Sequence, residues 1–269
     1  MPVVSDADDL VASGYDAFYA AWGQSPTLRQ IWRRHVTGED YPEDFAHISF
    51  LPLAQLQALT TALDLRADET LVDLACGAGG PGLWAAKQTR ARLVGRDLSP
   101  VAVERASERI AAVGMSGRAS FAQGSFQATG LPPASADAVM TVDALQYAPD
   151  KKDALVEVAR ILRPGRRFAF VAFELDPDRI AGLPLWDDPI ADYRPLLEQT
   201  GFDVLSYEQI PDWEQHVADG FGAVVEQREV LETELGPAAA AAIVLEASIT
   251  LELRPYCGHV LAVAVSPAR

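Results

Sequence analysis

The chain has 269 residues, of which 49% are hydrophobic, 22% charged and 8% aromatic, an ordinary globular composition that excludes disordered, collagen-like and disulfide-scaffold classes. Its 22 Lys and Arg stand against 38 Asp and Glu, a net charge of −16 that repels phosphate backbones, so nucleic acid is not an expected partner. Two cysteines, an opening MPVVSDADDL with no basic or apolar stretch, and no apolar run near 18 residues point to a reduced, cytoplasmic chain without a membrane partner.

Helical patterns come first in chain order. Residues 6–22 open with Ser and Asp capping residues and stop at Gly23, residues 27–36 lie between Pro26 and Gly38, and residues 51–65 carry apolar side chains at near-helical spacing. Together they form a helical N-terminal cap over residues 1–66. From Thr70 the grammar changes: TLVDLA reads as a buried strand, residues 82–89 as a helix and ARLVGRD as a second strand. Residues 100–113 follow as a helix capped by Ser99, then ASFAQG and ADAVMTVD as strands, residues 151–162 as a helix, and RRFAFVAFE as a fifth strand introduced by the turn RPGR. Strands separated by helices of this length build a parallel, doubly wound sheet. Residues 190–200 are helical up to Gly201, FDVLSYEQI and CGHVLAVAVSP are the remaining strands, and two helices, about 212–235 and 237–252, are inserted between them.

LVDLACGAGGPG, residues 71–82, carries the strongest chemical signal. Gly77, Gly79 and Gly82 satisfy G-x-G-x-x-G between a strand and a helix, where glycines permit a tight turn and a close approach of backbone to ligand. Asp97 ends the next strand, where an acidic side chain holds a ribose diol. A dinucleotide needs the helix N-terminus free for a pyrophosphate, whereas S-adenosylmethionine has no phosphate and presents an ammonium, a carboxylate and a sulfonium. Asp73, four residues before Gly77, suits the latter, within reach of the loop or of the methionine amine.

The order Asp73, Ala75, Cys76, Gly77, Ala78, Gly79 resembles motif I of the class I S-adenosylmethionine-dependent methyltransferases. The similarity runs on through GRDLSPVAVERA, ADAVMTVDALQYAPD and RILRPGRR, about residues 60–175, and YDAFYAAWG and GGPGLW are similar to small-molecule methyltransferases of actinobacterial type. The resemblance implies a Rossmann-like, doubly wound, seven-stranded α/β sheet, mostly parallel with an antiparallel last strand. It implies a cofactor-binding domain over residues 67–269 with a helical insertion at about 211–255, S-adenosyl-L-methionine as cofactor and S-adenosyl-L-homocysteine as product. Gly77 and Gly79, with Ala75 beside them, would lie against the methionine and ribose, and Asp97 would bind the ribose hydroxyls. Leu98 would border the adenine, Ser125 and Phe126 face its edge, Asp143 stand near the methionine, and Tyr15 close over the carboxylate. There are two departures. Ala75 replaces the first motif glycine, and Ser125 stands where relatives commonly show an aspartate, so a hydroxyl rather than a carboxylate accepts the adenine amine.

Methyl transfer from a sulfonium is a direct displacement, in which the protein aligns nucleophile, methyl carbon and sulfur and excludes water; a hydroxyl or protonated amine nucleophile is helped by a base. The ligand crevice of an open α/β sheet lies beyond the carboxyl ends of its strands. Strand four leads there into Tyr147 and strand five ends at Glu174, and in similar methyltransferases polar residues from these edges handle the acceptor, so both are candidate catalytic residues. His47, in EDFAHISF, is the histidine best placed at the crevice mouth; His216 lies on an inserted helix, and His35 and His259 have less to recommend them. No metal-ligand spacing or Cys/His nucleophile signature appears. Phe18, Tyr19, Trp22, Trp32, Phe45, Phe50, Trp186 and Trp213 gather outside the sheet, where they build the cap's own core or wall a pocket for an apolar or aromatic acceptor.

The resulting reading is an enzyme that methylates a small, natural-product-like molecule in specialised metabolism, with a homodimer as the expected assembly. Three rivals use the same residues. A cyclase that keeps S-adenosylmethionine as a structural element is motivated by Ser125 and the lack of an obvious base. An NAD-dependent oxidoreductase is disfavoured by Asp73, the RPGR turn and the absence of a Tyr-x-x-x-Lys pair, and the last rival is a non-catalytic binding module.

Overall fold

The computed structural model describes residues 16, 19–180 and 188–268. Seven strands, β1 (Thr70–Leu74), β2 (Arg92–Asp97), β3 (Ala119–Gln123), β4 (Ala136–Val142), β5 (Leu162–Leu175), β6 (Asp203–Gln209) and β7 (Cys257–Val265), form one sheet in the order β3-β2-β1-β4-β5-β7-β6. β1 to β5 pair in parallel, and β7 runs antiparallel between β5 and β6. The expected sheet, with its antiparallel last strand, is thus the one formed. Its order reverses between β1 and β4, which opens a crevice beyond their carboxyl ends.

Period-two alternation divides the core between the two faces. Leu71, Ala138, Met140, Ala169 and Val171 point into one cluster, and Val72, Val139, Phe168, Phe170 and Ala172 into the other. Helices α1 (Pro26–Trp32), α2 (Leu53–Ala62) and α3 (Gly80–Thr89) bury their apolar residues in the first cluster, and α5 (Lys151–Ile161) and α6 (Arg194–Gln199) in the second; α4 (Pro100–Ala112) covers β2 and β3. The first cluster also takes in α7 (Trp213–Glu226), α8 (Arg228–Leu235) and α9 (Pro237–Leu253), so cap and insertion share one layer. Phe221 of the insertion packs 5.8 Å from Trp32 and 5.0 Å from Phe50, and Thr27 Oγ1 donates to Glu234 at 2.8 Å.

Several boundaries differ from expectation for local reasons. α1 passes into a wide turn over Arg33–Thr37 before Gly38, α2 starts after Pro52, and α3 starts at Gly80 because Gly79, at φ +78°, already serves as its N-cap. RPGR lies inside β5: Ala136 pairs with Leu162 and Ala138 with Arg167, so the extra residues bulge out around Gly165 at φ +71°. The first inserted helix is two, α7 and α8, broken at Gln227. Ser99 caps α4 as expected, its Oγ accepting the Ala102 N–H at 2.9 Å.

Candidate functional site

The turn after β1 is made of backbone in conformations that side chains resist. Ala75, Gly77 and Gly79 have φ of +53°, +53° and +78°; for Ala75 that conformation costs about 1 kcal/mol. The Cys76 N–H bonds the Arg96 carbonyl at 3.0 Å, and the Gly79 N–H bonds the Cys76 carbonyl at 2.9 Å, which pins the turn to the end of β2. Side chains press on it closely. A Cβ at Gly77 would meet the Tyr19 hydroxyl at 2.1 Å, one at Gly80 the Phe45 carbonyl at 2.3 Å, and one at Gly82 the Asp73 carboxylate at 2.3 Å.

Asp97 ties the loop to the next helix. Its Oδ2 accepts the Gly77 N–H at 2.7 Å and its Oδ1 the Ser99 N–H at 2.9 Å, which leaves further lone pairs on both oxygens. Burial pushes its pKa up to about 6, against the pull of those two N–H groups. Asp73 is buried beneath the loop, raised well above the usual carboxylate range by burial and by the Asp97 charge, with the Gly82 N–H opposing. Its carboxylate therefore braces the start of α3. Ser99 Oγ also donates to Asp16, which brings the N-terminal segment onto this corner.

A cleft of about 520 Å³ opens beside the loop, lined by Tyr19, His47, Gly77, Pro81, Arg109 and Val142 among others. His47 is buried there. Its Nδ1 accepts the Ser49 N–H at 3.2 Å and lies 2.6 Å from Ser49 Oγ, and burial pushes its pKa down to about 4. Its Nε2 is buried without a partner among the described residues. Arg109 reaches the Ala46 carbonyl at 3.1 Å, so the cleft wall carries a cation on a strongly acidic protein.

The remaining expected residues are more dispersed. Leu98 is half-buried beside Asp97, and Phe126 packs into the second core cluster. Ser125 Oγ accepts the Ala128 N–H at 3.0 Å in a local turn. Asp143, at φ +49°, bridges the cap and β7 through Phe50 and His259. Tyr147 lies on the turn Leu145–Tyr147, outside the lining of the cleft. Glu174 accepts from Tyr207 Oη at 2.7 Å and Gln209 Nε2 at 2.6 Å, and faces a second cavity of about 800 Å³. Tyr15, Phe18 and Trp186 lie outside the described residues.

Sequence reasoning does not single out Tyr19, Arg109 or His259 as site residues. A Tyr one helical turn after Tyr15 and an Arg on the polar face of α4 carry no distinguishing pattern. His259 has one: it is a polar residue inside the apolar alternation of CGHVLAVAV.

Residues 71–165 match a family described as a methyltransferase domain. The chain is 29% identical over 167 residues to 27-O-demethylrifamycin SV methyltransferase of Amycolatopsis mediterranei (strain S699), covering 62% of this chain and 59% of that protein. It is 29% identical over 245 residues to a probable chloroplastic tocopherol O-methyltransferase of Oryza sativa subsp. japonica, covering 80% and 64%. The chain thus spans less than two thirds of the length of either relative. Among solved structures, the cyclase SpnF superposes with a TM-score of 0.76 over 100% of this chain and 99% of that one, at 20% identity, a likeness of fold. No helix among the described residues is long and apolar enough to cross a membrane. The matched domain, its motifs in order and a glycine turn held by Asp97 make residues 71–165 similar to the cofactor-binding part of class I S-adenosylmethionine-dependent methyltransferases.

Proposed function

We propose that the protein transfers a methyl group from S-adenosylmethionine to a small, apolar or aromatic, natural-product-like acceptor of specialised metabolism in the cytoplasm. The observation that carries this reading is the glycine turn: a Cβ at Gly77, Gly80 or Gly82 would collide with neighbouring atoms, and the Asp97 carboxylate sits at its rim. These residues fit the cofactor. Ala75, Gly77 and Gly79 would hold the methionine and ribose, Asp97 the ribose hydroxyls, Leu98, Ser125 and Phe126 the adenine side, and Asp143 the methionine end. Bound there, S-adenosylmethionine supplies a methyl carbon on a positive sulfur, open to displacement by the acceptor.

The chain's own part is to orient and to exclude water. With Nδ1 accepting from Ser49, neutral His47 carries its proton on Nε2, and at a pKa of about 4 it stays neutral near pH 7; it serves as a hydrogen-bond donor in the cleft wall. Tyr147 and Glu174 complete the acceptor-side candidates, with Glu174 acting from the second cavity. Leu245 and Val230, 61% and 46% exposed on the insertion, supply apolar surface that a homodimer would cover.

Calorimetry tests the cofactor: S-adenosylhomocysteine binds and NAD does not, and the reverse result ends the reading. Incubation with methyl-labelled S-adenosylmethionine and a panel of phenols and macrolide aglycones tests the reaction. Label in the product supports methyl transfer, whereas isomerisation without label favours the cyclase reading, whose support is the likeness of fold to SpnF.

A further inference from the structure

One wall of the glycine-loop cleft collects hydrogen-bond donors that have nothing to give to. His47 lines the cleft from the cap and is 8% exposed. Its Nδ1 accepts the Ser49 N–H, so Nε2 carries the proton, and Nε2 has no partner among the described residues. Tyr41 stands edge-on to that ring at 4.9 Å, and its hydroxyl is likewise buried without a partner among the described residues. Buried polar groups are normally paired, because leaving one unsatisfied is costly, so two in contact call for a third party.

Arg109, on α4, lines the same cleft. It spends one donor on the Ala46 carbonyl at 3.1 Å, out of the five that a guanidinium carries. Its charge acts on both Tyr41 and His47, so the three groups face a common region. Arg29 and Arg105 also line the cleft, but their donors are turned to the main-chain carbonyls of Trp22, Gly23 and Tyr19. Asp44 and Glu108 share the wall; the Asp44 charge acts on Arg109 without forming an ion pair among the described residues. His47 is neutral near pH 7, since burial pushes its pKa down to about 4 against the pull of Asp143, and Arg109 is therefore the cation of this corner. One cation flanked by two neutral donors balances one negative charge, and the planar fork of a guanidinium matches the two oxygens of a carboxylate.

We propose that Arg109, His47 and Tyr41 form a binding corner for a carboxylate in the wall of the cleft. The inference rests on the methyl-transfer reading, in which two molecules can bring that group: S-adenosylmethionine, on its amino-acid arm, or an acceptor that is itself a carboxylic acid. Arg109 supplies the charge, and the His47 Nε2–H and the Tyr41 O–H supply the neutral hydrogen bonds. The carboxylate stays ionised throughout, so the corner orients its ligand and moves no proton.

The test applies calorimetry to the full chain with two matched pairs. The first is S-adenosylhomocysteine against its decarboxylated form, 5′-(3-aminopropylthio)adenosine. The second is 2-naphthoate against the uncharged 2-naphthamide, both titrated with S-adenosylhomocysteine present. In at least one pair the carboxylate form binds about tenfold more tightly or better, as a charge-assisted hydrogen bond requires, and Arg109→Met brings the two forms within about threefold of each other. His47→Phe narrows the preference, and His47→Gln, which keeps an N–H donor, retains more of it. A preference in the first pair assigns the corner to the cofactor, and one in the second assigns it to the acceptor. Equal affinities within both pairs, or a preference that Arg109→Met leaves intact, overturns the corner. If Arg109→Met does not fold, the unaltered chain labelled with nitrogen-15 in histidine decides: the His47 Nε2–H proton resonance moves downfield with the carboxylate form and not with its partner, and the same spectrum with both forms overturns the corner. Absence of S-adenosylhomocysteine binding beside an Arg109-dependent preference for naphthoate sinks the methyl-transfer reading and leaves the corner standing. Tight S-adenosylhomocysteine binding with no carboxylate preference in either pair sinks the corner alone.

Discussion

The two sides of the crevice are built by different means. The glycine-turn side, proposed to hold the cofactor, is the ten residues from Asp73 to Gly82 plus Asp97, twenty residues beyond Gly77, and its shape resides in backbone angles and main-chain hydrogen bonds. The other side joins the Asp143 carboxylate to the Phe50 N–H across 93 residues and to His259 across 116, linking the cap, β4 and β7. The first resists change because a Cβ at Gly77, Gly80 or Gly82 would collide with it. The second hangs on single side chains that each reach a distant element.

Substitutions break or sharpen this contrast. The largest effect is expected from Asp143→Ala, which strips the Phe50 N–H and His259 of their buried partner; urea unfolding should show a loss of about 3–5 kcal/mol, and a loss under about 1 kcal/mol would mean the bridge is dispensable. Next is Gly77→Ala on the cofactor side, where the φ of +53° and the Tyr19 hydroxyl oppose a methyl group. Affinity for S-adenosylhomocysteine should fall about 10- to 30-fold in calorimetry, equivalent to roughly 1–2 kcal/mol of backbone strain.

The third prediction is a pH dependence. Asp97, pushed up to about 6 by burial, is ionised above that value and then accepts hydrogen bonds through both oxygens. Because the folded pKa exceeds the unfolded one, the folded chain binds the extra proton between about pH 4 and 6, and this group's stabilising share is lost as pH rises through about 6. In the proposed site, cofactor binding would need the ionised form and run the other way. S-adenosylhomocysteine affinity should be flat from about pH 7 to 9 and fall at most about tenfold per unit below 6, and Asp97→Asn should flatten the profile. An unaltered profile in that variant would move the titration to another group. The smallest effect is Ser125→Asp: a charged acceptor at the adenine edge should tighten S-adenosylhomocysteine binding about fivefold, and no change would mean that the Ala128 turn holds the side chain away from the ligand.

Much of the frame is legible in the order of residues. The strands of the central region follow from their alternation, the start of α4 from Ser99 and Pro100, and the glycine turn from its spacing, because each depends on neighbours within a few residues. Where local patterns fail, the deciding contact is remote or carries no punctuation. The break at Gln227 has no glycine or proline to announce it, and the RPGR bulge is held by Ser266, a hundred residues away from Arg166. Tyr19 is singled out only by lying against Gly77, and His259 gains its interest only from Asp143 and Phe173.

By itself the amino-acid sequence determined the seven-stranded sheet, its glycine turn and the acid at the end of β2, since period, capping and permitted φ act over a handful of bonds. Tertiary structure alone decided which polar side chains meet beneath the cap. That is a matter of how strands from opposite ends of the chain are ordered in the sheet and which way each side chain faces, and no local pattern encodes an encounter between residues 116 positions apart.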